Sequence, residues 1–241
     1  MWLIHSALMR YDRVLISGVL LRRYKRFLAD VELQDGLVVT AHCPNPGSMS
    51  GLASPGASVW LLKSSNPARK FPYTWELVAV NDTLVGINTM RPNQLAAEAI
   101  NKGIIPELAG YETTTREVAY GRNSRIDFLL TAPTRPNCFV EVKNVNLMRR
   151  TGSAEFPDSV TKRGTKHLVE LADIARAGQR ALMLYVVQRC DCMTFSLAAD
   201  IDPNYAQAFD QALAVGVEAV CYACTVTVDG IDIVHSLPIS S

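Results

Sequence analysis

Arg125-Ile126-Asp127-Phe128-Leu129-Leu130 and Cys138-Phe139-Val140-Glu141-Val142-Lys143-Asn144-Val145 flank a turn cluster, Thr131 to Asn137, that holds two prolines. Each limb is a short run of apolar, β-branched or aromatic residues, so the stretch reads as one hairpin. With the turn centred on Thr134, a simple antiparallel register sets Asp127 opposite Glu141. Side chains alternate faces along a strand, so Glu141 and Lys143 share a face with each other and with Asp127. Charges in the middle of such apolar strands are unfavourable for packing alone. A divalent metal held through carboxylate oxygens offsets that cost. The plainer reading is a cross-strand ion cluster on a solvated sheet face.

Working outward, the hairpin sits in a chain of 241 residues that is 49% hydrophobic and 20% charged, enough for one large or two small globular domains. The apolar start, Trp2 to Met9, is too short to span a membrane and lacks a signal-peptide layout, and no later run reaches about 18 apolar residues. The cytoplasm is the expected location, with no membrane partner. Net charge is only +1, but residues 116–166 hold ten Lys and Arg against five Asp and Glu, whereas residues 167–241 hold three against nine. Positive charge gathers around the acidic hairpin, as expected if a polyanion meets one side of the molecule. Six cysteines include Cys190 and Cys192, then Cys221 and Cys224, which look like chelating pairs for zinc. Positions three apart on a strand face opposite ways, however, so buried free thiols are the favoured reading.

Before the hairpin, strand-like runs at Val14–Leu21, Phe27–Leu33, Leu37–His42, Val59–Lys63, Trp75–Val80 and Leu84–Ile87 follow one another without a long helix, which suggests a small β-barrel. Cys43 to Ser48, with two prolines and a glycine, is a rigid loop containing Asn45. At Asn93 the pattern changes. Asn93 is expected to cap a helix that carries Glu98 and ends near Gly103. After the hairpin, Met148 to Gly164 reads as a polar loop, and helices over 165–177 and 203–215 alternate with strands over 181–187, 217–228 and 231–237. The second half is therefore α/β.

A helix with a Glu, a strand with an Asp, a strand with Glu-x-Lys and a further helix is a layout for phosphodiester hydrolysis. Asp127, Glu141 and the Val142 carbonyl are candidate ligands of Mg²⁺ or Mn²⁺, with Glu98 as an additional carboxylate. The metal would polarise a phosphate and activate water, and Lys143 would orient that water or stabilise developing charge. Without metal the two carboxylates should repel and their pKa values rise.

Arg22, Arg23, Tyr24, Lys25, Arg26 and Phe27 interleave four cations with two aromatics, which suits phosphate neutralisation and base stacking. As a strand, the segment would put Arg22, Tyr24 and Arg26 on one face. Arg149, Arg150, Lys162, Arg163 and Lys166 follow the Glu141 strand and are candidate backbone clamps. His167 is a candidate general base, and Glu155 and Asp158 are further acidic groups in reach of the same region.

The segments Gly18–Leu33, Cys43–Met49, Arg125–Phe128, Glu141–Val145 and Phe156–Leu168 together resemble the sugar fermentation stimulation protein A family of bacteria and archaea, over nearly the whole chain. That resemblance implies an N-terminal OB-fold barrel, a C-terminal α/β domain similar to the PD-(D/E)XK nucleases, with a mixed sheet flanked by helices, and DNA binding without sequence preference. The nuclease superfamily's acidic pair and lysine map onto Asp127, Glu141 and Lys143, and its helix glutamate onto Glu98. The expected domains are an N-terminal extension over 1–12, the OB fold over 13–90 and the nuclease-like domain over 91–241. Residues 1–8 have no counterpart in the resemblance and are expected to be poorly tied to the fold. The functional expectation is a DNA-binding protein, on single or double strands, with an Mg²⁺-dependent nuclease site. Cutting both strands of a duplex would call for a partner or a homodimer. The rival expectations are a non-catalytic DNA-binding regulatory factor, with maltose metabolism the role attached to the family name, and a zinc- or thiol-based regulator.

Overall fold

The computed structural model describes residues 9–121 and 124–240, so the expectation for residues 1–8 lies outside the described residues. The chain enters through β1 (Met9–Arg10), then builds six consecutive strands: β2 (Ile16–Tyr24), β3 (Leu28–Leu33), β4 (Val38–His42), β5 (Ser58–Lys63), β6 (Tyr73–Val80) and β7 (Thr83–Gly86). All neighbours are antiparallel except β4 and β6, which pair in parallel at Ala41↔Tyr73 and His42↔Thr74. That pairing closes β2, β3, β4, β6 and β5 into a five-stranded OB barrel, with β7 added to β6. Closure leaves few unpaired edges. Leu20, Ala29, Val31, Ala41, Val59, Leu61 and Trp75 fill its interior and are fully buried.

The basic segment does not continue as a strand. β2 ends at Tyr24, and Lys25 and Arg26 take left-handed backbone conformations with φ of 49° and 65°. The alternation expected over residues 22–27 therefore breaks at the turn, and Arg26 does not share a face with Arg22 by strand geometry.

The second half opens with α1 (Arg91–Asn101) and a short 3₁₀ turn, then β8 (Thr113–Tyr120), β9 (Ser124–Ala132), β10 (Arg135–Val145), β11 (Leu147–Arg150) and β12 (Ser153–Phe156). It continues with α2 (Lys162–Arg176), β13 (Arg180–Val187), β14 (Thr194–Leu197), α3 (Pro203–Ala214), β15 (Glu218–Val226), β16 (Gly230–Leu237) and β17 (Ile239–Ser240). The main sheet runs β1-β16-β15-β13-β10-β9-β8, with β10, β13 and β15 parallel to one another and the flanking strands antiparallel. Along β13 the alternation sorts the two faces: Leu182, Leu184 and Val186 pack with α1 and the barrel, and Ala181, Met183, Tyr185 and Val187 pack with α2 and α3. A central strand covered on both sides explains its unbroken apolar run. Met9 is fully buried in this sheet, so residues 9 and 10 belong to it.

The polar segment after β10 is not a plain loop. β11 and β12 form a hairpin that joins β14 and β17 in a second, four-stranded sheet. Cys221 and Cys224 face opposite sides of the main sheet, and all six cysteines are free thiols, with Cys190 alone exposed. Among the described residues, no helix is long and apolar enough to cross a membrane.

The hairpin itself is longer and its turn tighter than the sequence suggests. Ala132 pairs with Arg135, and the register then shifts before Cys138↔Leu130, Phe139↔Leu129 and Val140↔Phe128. Continued unshifted, the Ala132–Arg135 register would set Asp127 opposite Val140. The bulge at Pro136 and Asn137 adds one residue to β10, and the register that results sets Asp127 toward Glu141. A one-residue slip exchanges the two faces of a strand, so the bulge decides whether the carboxylates meet.

The barrel docks on the α/β half through apolar residues such as Leu77 and through polar contacts. Arg91, at the start of α1, makes two hydrogen bonds to the buried Glu76 of β6, at 2.9 and 3.0 Å. Gly86 N–H donates to the Gln188 carbonyl at 2.8 Å. The rigid loop after β4 reaches across as well: Met49 N–H donates to Asp158 at 3.2 Å, and a Cβ on Gly47 would lie 2.1 Å from an Asp158 carboxylate oxygen. Gly47→Ala is therefore expected to lower stability by about 1–3 kcal/mol, the usual cost of overpacking. Most of that loss should vanish in an Asp158→Ala background, read as the coupling term of a thermal or urea double-mutant cycle.

Candidate metal and nucleic-acid site

β9 and β10 part at Asp127, and the carboxylate fills the gap. Its Oδ2 accepts the Val142 backbone N–H at 2.7 Å, and its Oδ1 accepts from the Asn93 side chain at 2.6 Å. Burial, followed by the nearby charge of Glu141, holds the Asp127 pKa above its ordinary value, even though these hydrogen bonds and Lys143 pull it down.

Glu141 is only 3% exposed. Its Oε1 accepts from Lys143 Nζ at 2.6 Å and contacts His167 Nδ1 from α2. Burial pushes its pKa up, but Lys143 and His167 outweigh burial and hold it below the ordinary value. The expectation that both carboxylates rise is thus met by Asp127 and reversed at Glu141, because two donors converge on one oxygen of Glu141. The other oxygen, Oε2, is buried with no hydrogen-bond partner. Tyr120, at the end of β8, also has a buried hydroxyl without a partner, and its pKa is raised by burial and then by the charges of Glu141, Glu170 and Asp127.

The donor set suits a hard cation. Two carboxylates, one with an unpartnered buried oxygen and one destabilised by its neighbour's charge, resemble the one or two carboxylates that usually hold Mg²⁺, with water and phosphate completing its shell. Among the described residues, no three His, Cys, Asp or Glu side chains cluster as a ready-made cage.

Asp127, Glu141 and Lys143 come together, and Glu98 does not join them. Glu98 accepts from Gln94 at 3.2 Å and bears electrostatically on Asp232 of β16. Five residues along a helix turn a side chain well away from Asn93, and it is Asn93 that α1 brings to Asp127. Asn93 does not cap the helix. The N-cap is Met90, with Pro92 in the first turn, so the Asn93 side chain is free for the site. An Asn inside a helix is a weak former, and that was its only signal in the sequence. Tyr120 had none.

The cationic candidates divide. Arg22 and Tyr24 are both tied to Asp30, at 2.8 and 3.1 Å, with Arg22 stacked on the Tyr24 ring at 4.9 Å. Arg23 binds the carbonyls of Arg26, Asn45, Gly47 and Ser48, so it clamps the rigid loop. Arg149 is engaged by Glu155 and Asp200, Arg163 by His167 and Lys166 by Glu170. Lys25, Arg26, Arg150 and Lys162 are exposed, as are Arg22, Arg149, Arg163 and Lys166 beside their partners. Arg26, Asn45 and Gly47 from the barrel face Lys143, Asn144 and the Asp158–Thr161 segment across a cleft of about 400 Å³. The Glu155 carboxylate is drawn below its ordinary pKa by Arg149, and it lines this cleft.

Two family profiles match the chain: "SfsA N-terminal OB domain" over residues 21–87 and "Sugar fermentation stimulation protein RE domain" over residues 90–230. The sugar fermentation stimulation protein homolog of Rhodospirillum centenum is 58% identical over 233 residues, covering 97% of this chain and 100% of that protein. The homolog of Paramagnetospirillum magneticum is 57% identical over 225 residues, covering 93% and 95%. The solved structure of Pyrococcus furiosus SfsA, described as a complex with Ca²⁺, superposes with a TM-score of 0.88 at 26% identity, covering 98% of this chain and all of that one. With an OB barrel joined to a mixed sheet flanked by helices, and with both halves matched, the chain belongs to the sugar fermentation stimulation protein family.

Proposed function

We propose that this protein binds DNA without sequence preference, in the cytoplasm, and hydrolyses its phosphodiester bonds at a Mg²⁺-dependent site formed by Asp127, Glu141 and the Val142 carbonyl. The observation that carries the reading is the buried, unpartnered Glu141 Oε2 beside an Asp127 carboxylate whose pKa is raised. A cation between them would satisfy the first and relieve the second. The Ca²⁺ described for the Pyrococcus furiosus relative is also a hard ion that takes oxygen ligands. Bound Mg²⁺ supplies polarisation of a phosphate and a lowered pKa for water.

The chain's own groups do the rest. Asn93 and the Val142 N–H orient Asp127. Lys143, 12% exposed at its side chain and lining the cleft, is held toward the site by Glu141 and is ready to stabilise charge on a phosphate. Arg26 lies across the cleft, so a strand entering between barrel and sheet would meet positive charge from both walls. Action on both strands of a duplex would need a second copy.

One observation favours the non-catalytic alternative: Lys143 already balances the Glu141 charge. Calorimetric titration of Mn²⁺ into chelator-treated protein separates the two. Stoichiometric binding that is lost in Asp127→Ala/Glu141→Ala is expected, together with cleavage in a screen of single-stranded, duplex and branched DNA. A wild type that binds no Mn²⁺, with or without DNA, would leave only a DNA-binding scaffold.

A stability measurement addresses the same pair. A folded-state pKa above the unfolded value means that the ionised group costs stability, a cost absent below the unfolded pKa and complete above the folded one. In chelator, Asp127→Asn should raise Tm at neutral pH, and the gain should fade as pH drops through the raised Asp127 pKa. A gain that is independent of pH would show that ionisation of Asp127 is not its source.

For the cleft, Lys25→Glu/Arg26→Glu should weaken DNA binding and reduce the salt slope by about one for each phosphate no longer neutralised. Arg23→Ala should act differently, by releasing the loop it clamps, and appear as lowered stability.

A further inference from the structure

One turn of α2 presents Arg163 and His167 on the same side. His167 is buried at 4% exposure, whereas Arg163 is exposed. The two ring nitrogens of His167 have different partners. Nδ1 meets Glu141 Oε1, and Nε2 receives Arg163 Nε–H at 3.3 Å. A guanidinium only donates, so Nε2 presents its lone pair. An ionised carboxylate only accepts, so Nδ1 carries the hydrogen. One species meets both contacts, the neutral imidazole protonated on Nδ1, an assignment made from its partners. Lys143 Nζ lies 3.3 Å from Nδ1. With both atoms as donors, that approach is not a bond between them but two donors converging on Glu141 Oε1. Both lone pairs of Oε1 are then used, and Oε2 is the oxygen left over.

We propose that His167 is a positioning residue for the acidic site: Glu141 and Arg163 together set its tautomer, its Nδ1–H fixes the rotation of the Glu141 carboxylate, and Oε2 is thereby held for a divalent cation. This rests on the metal-site reading above. Ligating groups are commonly aimed by such outer partners, whose loss weakens metal affinity without touching the metal.

The test uses the full chain after chelator treatment, with ¹⁵N-labelled histidine. The sequence has four histidines, so His167→Gln assigns the resonance of interest. Two-bond ¹H–¹⁵N correlations should show His167 neutral and protonated on Nδ1. Arg163→Ala, an exposed substitution that spares the core, should keep Nδ1–H, because Glu141 still accepts from it. Mn²⁺ titration supplies the second readout. An Asn amide can stand in for Nδ1–H and a Gln amide reaches the place of Nε2, so His167→Asn should keep affinity near that of the wild type. His167→Gln should lose about 10–100-fold.

Wild-type His167 found as imidazolium or protonated on Nε2 would overturn the proposal, as would equal Mn²⁺ affinities for the Asn and Gln variants. A wild type that binds no Mn²⁺ would refute the metal site itself. The tautomer spectra would then decide the His167 clamp alone: a wild type neutral and protonated on Nδ1 supports it, and imidazolium or Nε2 protonation in the wild type overturns it.

Discussion

A carboxylate buried in the middle of a sheet has to be compensated, and in this protein Glu141 sets that requirement. At 3% exposure it cannot be hydrated. Leaving such a charge without partners costs several kcal/mol or more. Lys143 answers it from two residues along the same strand, and His167 from the helix packed above. The second donor ties the placement of α2 to the sheet. That placement is anchored by Leu168 and Leu171 against Met183 and Tyr185, and by the Tyr185–Tyr205 hydroxyl pair at 2.7 Å that links β13 to α3. The packing of the α2 and α3 layer and the electrostatics of the site are thus one problem solved together.

The barrel shares an apolar face with the main sheet, through Leu77, Trp60 and Leu62, and is also coupled to the site by polar contacts. The Glu76–Arg91 pair fixes the first turn of α1 against β6, and α1 carries Asn93 to Asp127. Arg23 holds the Asn45–Ser48 loop rigid from within the barrel, and that loop meets Asp158 across the cleft. A residue that looked like a phosphate ligand is therefore spent on shaping the cleft wall. Its neighbours Lys25 and Arg26, lifted out of the strand by their left-handed turn, are presented to solvent. Only the fold distinguishes these roles, because all of them are basic residues in one short run.

The amino-acid sequence by itself determined the barrel strands, the α/β character of the second half, the hairpin and its register of Asp127 against Glu141. These follow from local periodicity, from turn residues and from the pairing of long apolar strands, all of which act over a few neighbouring positions. The register was right for an incomplete reason: the turn is tighter than the sequence suggests, and a bulge restores the missing residue. The four-residue strands β11, β12 and β14 were not legible, because segments that short acquire their pairing from tertiary neighbours. Asn93 read as a helix cap and Glu98 as a site carboxylate. Which side of α1 faces the sheet depends on docking against β10 and β16, and docking exchanged their roles. The fall of the Glu141 pKa, the unpartnered Oε2 and the convergence of Lys143 and His167 on one oxygen were likewise decided only by tertiary structure. They depend on which groups lose water together, and burial is a property of the assembled fold.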